Sequence, residues 1–266
     1  MIRYVAFKLS VIAILLAMGL LSSCQVHVST SEDWVVDGTH LDERHQEALS
    51  VDSWHPEGLT LHGHAGDVTV RWTSASAGDS DRIVATVHEE TPGDASLRYE
   101  RGVLEVLSAS GREVALGEVE VVLSRPLSRL EVVTGAGDVE VEDADVEGAI
   151  RLSTGAGDVS LKGGRAGGRV SVSSGVGDVD VRDFEGPAFD CSTGMGDCVV
   201  RDVTAGDTDL STGLGDIRVK RSGFDRLHAS TGLGDVVASG STVTGSQNLS
   251  SGLGEVRSAT RLSIEH

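Results

Sequence analysis

The residues best placed to do chemistry are seven acids that close one recurring phrase. Asp138, Asp158, Asp178, Asp197, Asp216, Asp235 and Glu255 each end a run of Ser/Thr-Gly-x-Gly-Asp/Glu and are followed by an apolar residue. If successive copies stack, neighbouring carboxylates lie ~4.8 Å apart and repel by about 0.9 kcal/mol even at water's dielectric constant. Something must offset that. One answer is structural: each carboxylate accepts backbone N–H bonds within its own glycine bend, helped by the Ser or Thr before the glycine. The other is calcium held between coils, but Ca²⁺ takes six to eight oxygens and each copy offers one acid. The structural reading is the better supplied. Calcium remains as a weak ligand at most, and no cofactor is implied.

Other chemistry is sparse. His62 and His64 share one strand face, yet no third ligand stands at a metal-binding spacing, so an exposed pair on an edge strand is expected. No Gly-x-Ser-x-Gly elbow is backed by a suitable Asp and His. The Gly-x-Gly turns precede no helix and recur in every copy, which excludes a nucleotide-binding loop. A carbohydrate-active site needs an aromatic platform and an acid pair. Aromatic residues are only 3% of the chain, and Trp34, Trp54 and Trp72 all precede the regular copies. Catalysis is therefore not expected.

The elements that must position these acids follow from the spacing. The first glycine of the phrase recurs as Gly135, Gly155, Gly175, Gly194, Gly213, Gly232 and Gly252, every 19 or 20 residues. A period of this size marks a solenoid whose units bury their apolar faces only against one another. Three residues before that glycine stand Val132, Leu152, Val172, Cys191, Leu210, Ala229 and Leu249; four and six after it, apolar residues alternate with polar ones. That alternation is a strand with one buried face. The residue just after the glycine runs from Ala136 to Leu214, Leu233 and Leu253. Leu214 and Leu233 are accordingly expected in the interior, stacked on each other in a core that widens toward the C-terminus. Phe184, Val203, Phe224 and Val243 mark a looser return. Cys191 and Cys198 occupy inward positions, either as buried thiols, the favoured reading, or as a disulfide across one coil.

Shorter alternating runs precede the copies, from Leu59 to Leu61, Val68 to Trp72, Ile83 to Val87, Leu97 to Tyr99, Val103 to Leu107 and Val119 to Leu123. Gly66-Asp67-Val68 and Gly117-Glu118-Val119 look like worn versions of the phrase. The fold class is thus all-β: a parallel β-helix with coils of 19–20 residues, with less regular, antiparallel-like strands at its N-terminal end.

The N-terminus reads as an address. Arg3 and Lys8 precede the apolar run from Leu9 to Leu21, which closes on Leu21-Ser22-Ser23-Cys24, a bacterial lipobox with Cys24 as the lipidated residue. The expected organisation is a signal peptide over 1–24, a polar tether over 25–52 and a solenoid over 53–266, regular from about 130. Gln25 after the cysteine favours the outer membrane by resemblance to enterobacterial sorting. The chain carries 41 acidic residues against 22 Lys and Arg, a net charge of −19, and the leader contains none of the acids. A surface this acidic excludes nucleic acid as a partner.

The strand pair ending near Pro126, then Leu130-Glu131-Val132-Val133-Thr134-Gly135-Ala136-Gly137-Asp138-Val139 and its tandem copies, resemble the bacterial putative-adhesin family, over roughly residues 55–260. The resemblance implies a right-handed, single-stranded β-helix, frequent on lipoproteins, with no catalytic residues to carry over. The expected function is a non-enzymatic, lipid-anchored protein of the cell envelope. It would present an acidic solenoid surface for adhesion, scaffolding or binding an envelope protein or polysaccharide, with a carbohydrate-active or carbohydrate-binding β-helix as the alternative.

Overall fold

Alternation at period two dictates strands, and in the computed structural model the described residues form strands and no helix. It describes residues 26–28, 34–36, 39–51, 53–55, 57–73 and 81–262. Cys24 lies outside the described residues. One sheet of nineteen strands runs through the molecule, and its regular part is a parallel β-solenoid. Residue pairs across coils follow the sequence period: Val132 pairs with Leu152, Leu152 with Val172, and Val172 with Cys191.

Each coil has three inward-facing walls. The first carries a column through Leu130, Ile150, Val170, Phe189, Thr208 and Leu227, apolar but for the buried Thr208, and beside it the column from Val132 to Ala229. The second carries Val139, Val159, Val179, Cys198, Ile217 and Val236 and the column two residues on. The third is the return, and Phe184, Val203, Phe224 and Val243 are all buried there. Between the second and third walls the chain turns through a left-handed residue: Asp143, Asp183, Asp202 and Arg221 have φ of 50–54°, and Gly163 and Gly240 occupy the same place in their coils. A non-glycine residue there costs about 1 kcal/mol or more. The neighbouring coils hold the turn in place.

The N-terminal end departs from sequence order. The coil 59–72 is inserted between Val119–Leu123 and 130–142: Val68 pairs with Val119 on one side and with Val139 on the other. Antiparallel strands Glu43–Val51, Asp81–Glu89 and Val114–Leu123 close this end of the core. Residues 43–51, expected as part of a polar tether, are therefore a strand paired along its whole length, with Leu41 and Val51 buried. Two polar residues on the inward face, His45 and Glu47, concealed the alternation. His62 and His64 are exposed as expected, but their strand Leu59–Ala65 is interior to the sheet, paired with Leu130–Ala136 and in part with Val103–Ser108.

Candidate functional site

Among the described residues the recurring phrase is the most regular polar constellation, and its geometry starts from a gap in the ladder. At each Gly-x-Gly bend the parallel backbone bonds are made on either side: Gly137 N–H donates to the Ala156 carbonyl, and Val139 N–H to the Asp158 carbonyl. Between them the sharp bend leaves one carbonyl and one N–H per coil unmatched by backbone, and a buried unmatched group costs about 1–3 kcal/mol. Side chains fill both. The Asp158 N–H donates to Asp138 Oδ1, and the same bond recurs from Asp138 to Asp67, Asp178 to Asp158, Asp197 to Asp178, Asp216 to Asp197, Asp235 to Asp216 and Glu255 to Asp235, at 2.7–2.9 Å. The hydroxyls of Thr154, Ser174, Thr193, Thr212, Thr231 and Ser251 donate to the second glycine's carbonyl in the coil before, at 2.7–2.9 Å.

The bonds thus run between coils, whereas acceptance within each acid's own bend was expected. Asp67, the worn copy, is a full member of the column. Glycine at the second position is forced twice over. Its φ lies between +119° and +150° from Gly137 to Gly254, and a Cβ there would sit 1.9–2.2 Å from the glycine carbonyl oxygen of the coil before.

Charge repulsion along the column is met in part by Arg218, whose guanidinium spans Asp197 Oδ2 and Asp216 Oδ2 at 2.5 Å each. Burial raises the Asp197 pKa, but the Asp216 N–H and Arg218 outweigh it and hold the carboxyl below its ordinary value. Other acids pair with a cation of an adjacent coil, as in Arg165–Asp145, Arg221–Asp202 and Arg226–Asp207. Among the described residues no group of three or more His, Cys, Asp or Glu side chains is arranged to hold a metal ion.

The residue between the two glycines corrects a second expectation. Leu214 and Leu233 are 44% and 45% exposed, and Leu253 is 71% exposed. Alternation places Thr212 and Thr231 inward, both buried, and the chain then turns before the leucine can reach the core. Ala136, Ala156, Val176, Met195, Leu214, Leu233 and Leu253 form a register-matched ladder along the outer corner. Its growth toward leucine does not widen the core. Cys191 and Cys198 are buried and joined as a disulfide across the bend of one coil.

Sequence reasoning missed the constellations of the N-terminal cap, which are built once. Asp81 is buried; its Oδ1 accepts the Ser124 N–H and hydroxyl, and its Oδ2 the Trp54 indole N–H, all at 2.6 Å, with Arg125 Nε at 3.1 Å. Glu89 is buried and accepts the N–H groups of Gly93 and Ala95 at 2.7 Å. His88 stacks on Trp34 with ring centroids 4.1 Å apart, and burial, with Arg44 nearby, lowers its pKa to about 4. An open cavity of about 610 Å³ lies beside it, lined by Trp34, Arg44, Asp67 and Glu118 among others. No sequence spacing announces these partners, which are 27 to 44 residues apart around Asp81.

The sequence profile of the family described as Toastrack DUF4097 matches residues 52–264. No curated protein matches the chain. Among solved structures it is similar to a putative adhesin of Bacteroides fragilis, 12% identical over 81% of this chain and 96% of that one, with a TM-score of 0.44. A putative lipid binding protein of Parabacteroides distasonis is also 12% identical, over 84% and 97%, with a TM-score of 0.48. A putative cell adhesion protein of Clostridium sporogenes is 12% identical over 83% and 100%, with a TM-score of 0.38.

Proposed function

We propose that this chain, which belongs to the Toastrack DUF4097 family, is a non-enzymatic, lipid-anchored protein of the cell envelope. Its stacked coils would present a surface for adhesion, scaffolding or binding a partner. The observation that carries the non-enzymatic reading is the use made of the repeated acids and hydroxyls. Each acid from Asp67 to Asp235 gives an oxygen to the next coil's backbone, and each hydroxyl from Thr154 to Ser251 goes to the coil before. The motif is spent on holding coils together, so what the protein offers a partner is its outside.

The anchor rests on Leu21-Ser22-Ser23-Cys24 behind a basic and apolar leader. Acyl chains on Cys24 would fix the protein to a membrane, and Gln25 favours the outer one. Among the described residues no helix is long and apolar enough to cross a bilayer, and the anchor needs none. The Cys191–Cys198 disulfide suits an oxidising compartment outside the cytoplasm. The test is fractionation with metabolic acyl labelling. The wild type should label and sediment with membranes, and Cys24→Ala should lose the label and become soluble. A wild type already soluble and unlabelled would overturn the anchor.

A further inference from the structure

The six residues of each coil from three before the first glycine to two after it carry no charge. This holds for 132–137, 152–157, 172–177, 191–196, 210–215, 229–234 and 249–254, in a chain of which 24% is charged. The bend explains the glycines and the inward Ser or Thr. It does not explain two outward columns. One is the serine column, in which Ser192, Ser211 and Ser250 are exposed and Ser153, Ser173 and Ser230 half-buried. The other is the apolar ladder ending in Leu214, Leu233 and Leu253. Outward positions elsewhere in the same coils carry Asp190, Asp209, Arg201, Lys220 and Arg218. On this corner Leu214, Leu233 and Leu253 are exposed; Val256 and Leu262 are exposed for another reason, as inward-wall residues of the last coil, on which no further coil stacks. A contiguous exposed apolar patch on an otherwise charged protein marks an interaction surface.

We propose that this neutral corner is the contact between two copies of the chain, side by side and parallel, joined by a two-fold axis along the solenoid. Charge selects the occupant. A second copy carries the same net −19, so its charged faces repel on balance, and the neutral band is where it can approach closely. Period selects it too: both ladders repeat at the coil spacing of ~4.8 Å, so leucines of two copies meet at every coil once they meet at one. Orientation follows from the flanks. The corner has the acid column on one side and the serine column on the other. A two-fold along the solenoid sets each copy's serines against the partner's acids, hydroxyl donors against carboxylates. An antiparallel two-fold would instead oppose acid to acid. Copies anchored at Cys24 on one membrane would already be parallel, the single step that rests on the anchoring reading. The band is narrow, so the contact falls in the weak, small-interface class and gains from confinement on a membrane.

Cysteine cross-linking in the full lipidated chain, in membranes and at ~100 µM in detergent, tests this. Leu214→Cys, Leu233→Cys and Leu253→Cys should each give disulfide-linked homodimers on mild oxidation. Thr204→Cys, exposed on the return wall, should give at least about tenfold less, as should Leu233→Cys carrying Ser211→Asp. Unchanged melting temperatures keep folding out of the comparison, since all these positions are exposed. Cross-linking of Thr204→Cys as strong as that of Leu233→Cys would overturn the proposal, and so would mixed Leu214–Leu253 links without homotypic Leu214 or Leu253 ones, the antiparallel outcome, in which only Leu233 still meets itself. A wild type monomeric in both settings would overturn it as well. So would protection of Leu233→Cys from alkylation by phosphatidylcholine vesicles or by a neutral polysaccharide with the protein monomeric. Membrane sedimentation of the same samples is scored separately, so a monomer that still sediments removes this interface and leaves the anchor standing.

Discussion

The N-terminal cap over residues 43–123 and the coils over 130–262 face one problem, polar groups taken out of water that need partners, and meet most of it by opposite means. The cap concentrates. Asp81 alone gathers four donors from Trp54, Ser124 and Arg125. The coils distribute: one carboxylate bond and one hydroxyl bond per bend, repeated with little variation. A stack grows by adding identical units, and each new coil brings the groups the previous one lacks. The end of a stack has no such neighbour, so the cap needs constellations built once.

If that contrast is right, Asp81→Ala should be the most damaging single change considered. It strands an indole N–H, a backbone N–H and a hydroxyl together, at about 1–3 kcal/mol for each buried donor left unbonded, while the half-exposed Arg125 can turn to water. Hydrogen exchange should show the loss spreading through 43–123 before it reaches the distant coils. A cost below ~1 kcal/mol would mean that the cap is no more concentrated than the coils.

Acid should separate the two regions next. His88 has a folded pKa lowered to about 4 from 6.5. Its neutral form is the one the fold holds, so its contribution is complete above pH 6.5 and is lost as pH falls from 6.5 toward 4, by about 3 kcal/mol in all. Asp197 in the coils is also lowered, from 3.8. Its contribution is present above that value and is lost only as pH falls below it. Between pH 6.5 and 4 the cap should loosen while the coils hold. His88→Phe should flatten the cap's response over that window, read by hydrogen exchange at the two pH values. Equal loosening of both regions would remove the distinction.

Within the coils, Asp197→Asn keeps an acceptor for the Asp216 N–H and should cost within about 1 kcal/mol, while Asp197→Ala removes the acceptor and should cost about 1–3 kcal/mol. Thermal melts with millimolar calcium and with chelator complete the test. A fall in the wild-type melting temperature on chelation would replace the hydrogen-bonded column by a metal-bound one.

The coils were legible because their signal is periodic. The recurring glycines give the coil length, and the alternation after each bend gives the second wall. Asp67 could be read from Gly66-Asp67-Val68, although its coil is threaded between two later ones. The direction of the acid bonds was not legible, since a column alone does not say whether a side chain serves its own bend or its neighbour. The cap was illegible for a different reason. Trp54, Asp81 and Arg125 meet only because three antiparallel strands bring them together, and nothing local in their sequence marks the meeting. The strand Glu43–Val51 was masked because two of its inward positions carry His45 and Glu47 in place of apolar residues.

The corner is where alternation misled, and it supplies the finest test. Counting by twos from Leu210 through Thr212 puts Leu214 inside; the glycine bend cancels the count, leaving Leu210 at 0% exposure and Leu214 at 44%. Two leucines four residues apart in one coil should then behave as different residues. Leu210→Ala empties a filled core position and should cost about 2–5 kcal/mol, whereas Leu214→Ala should change the stability of the monomer by less than about 1 kcal/mol. Denaturant melts of dilute protein compare them directly, free of any contact between copies. Near-neutrality of Leu214 in the monomer is what an exposed ladder requires. A cost approaching that of Leu210 would put the side chain back in the core, and would leave the neutral corner without the ridge that a second copy would grip.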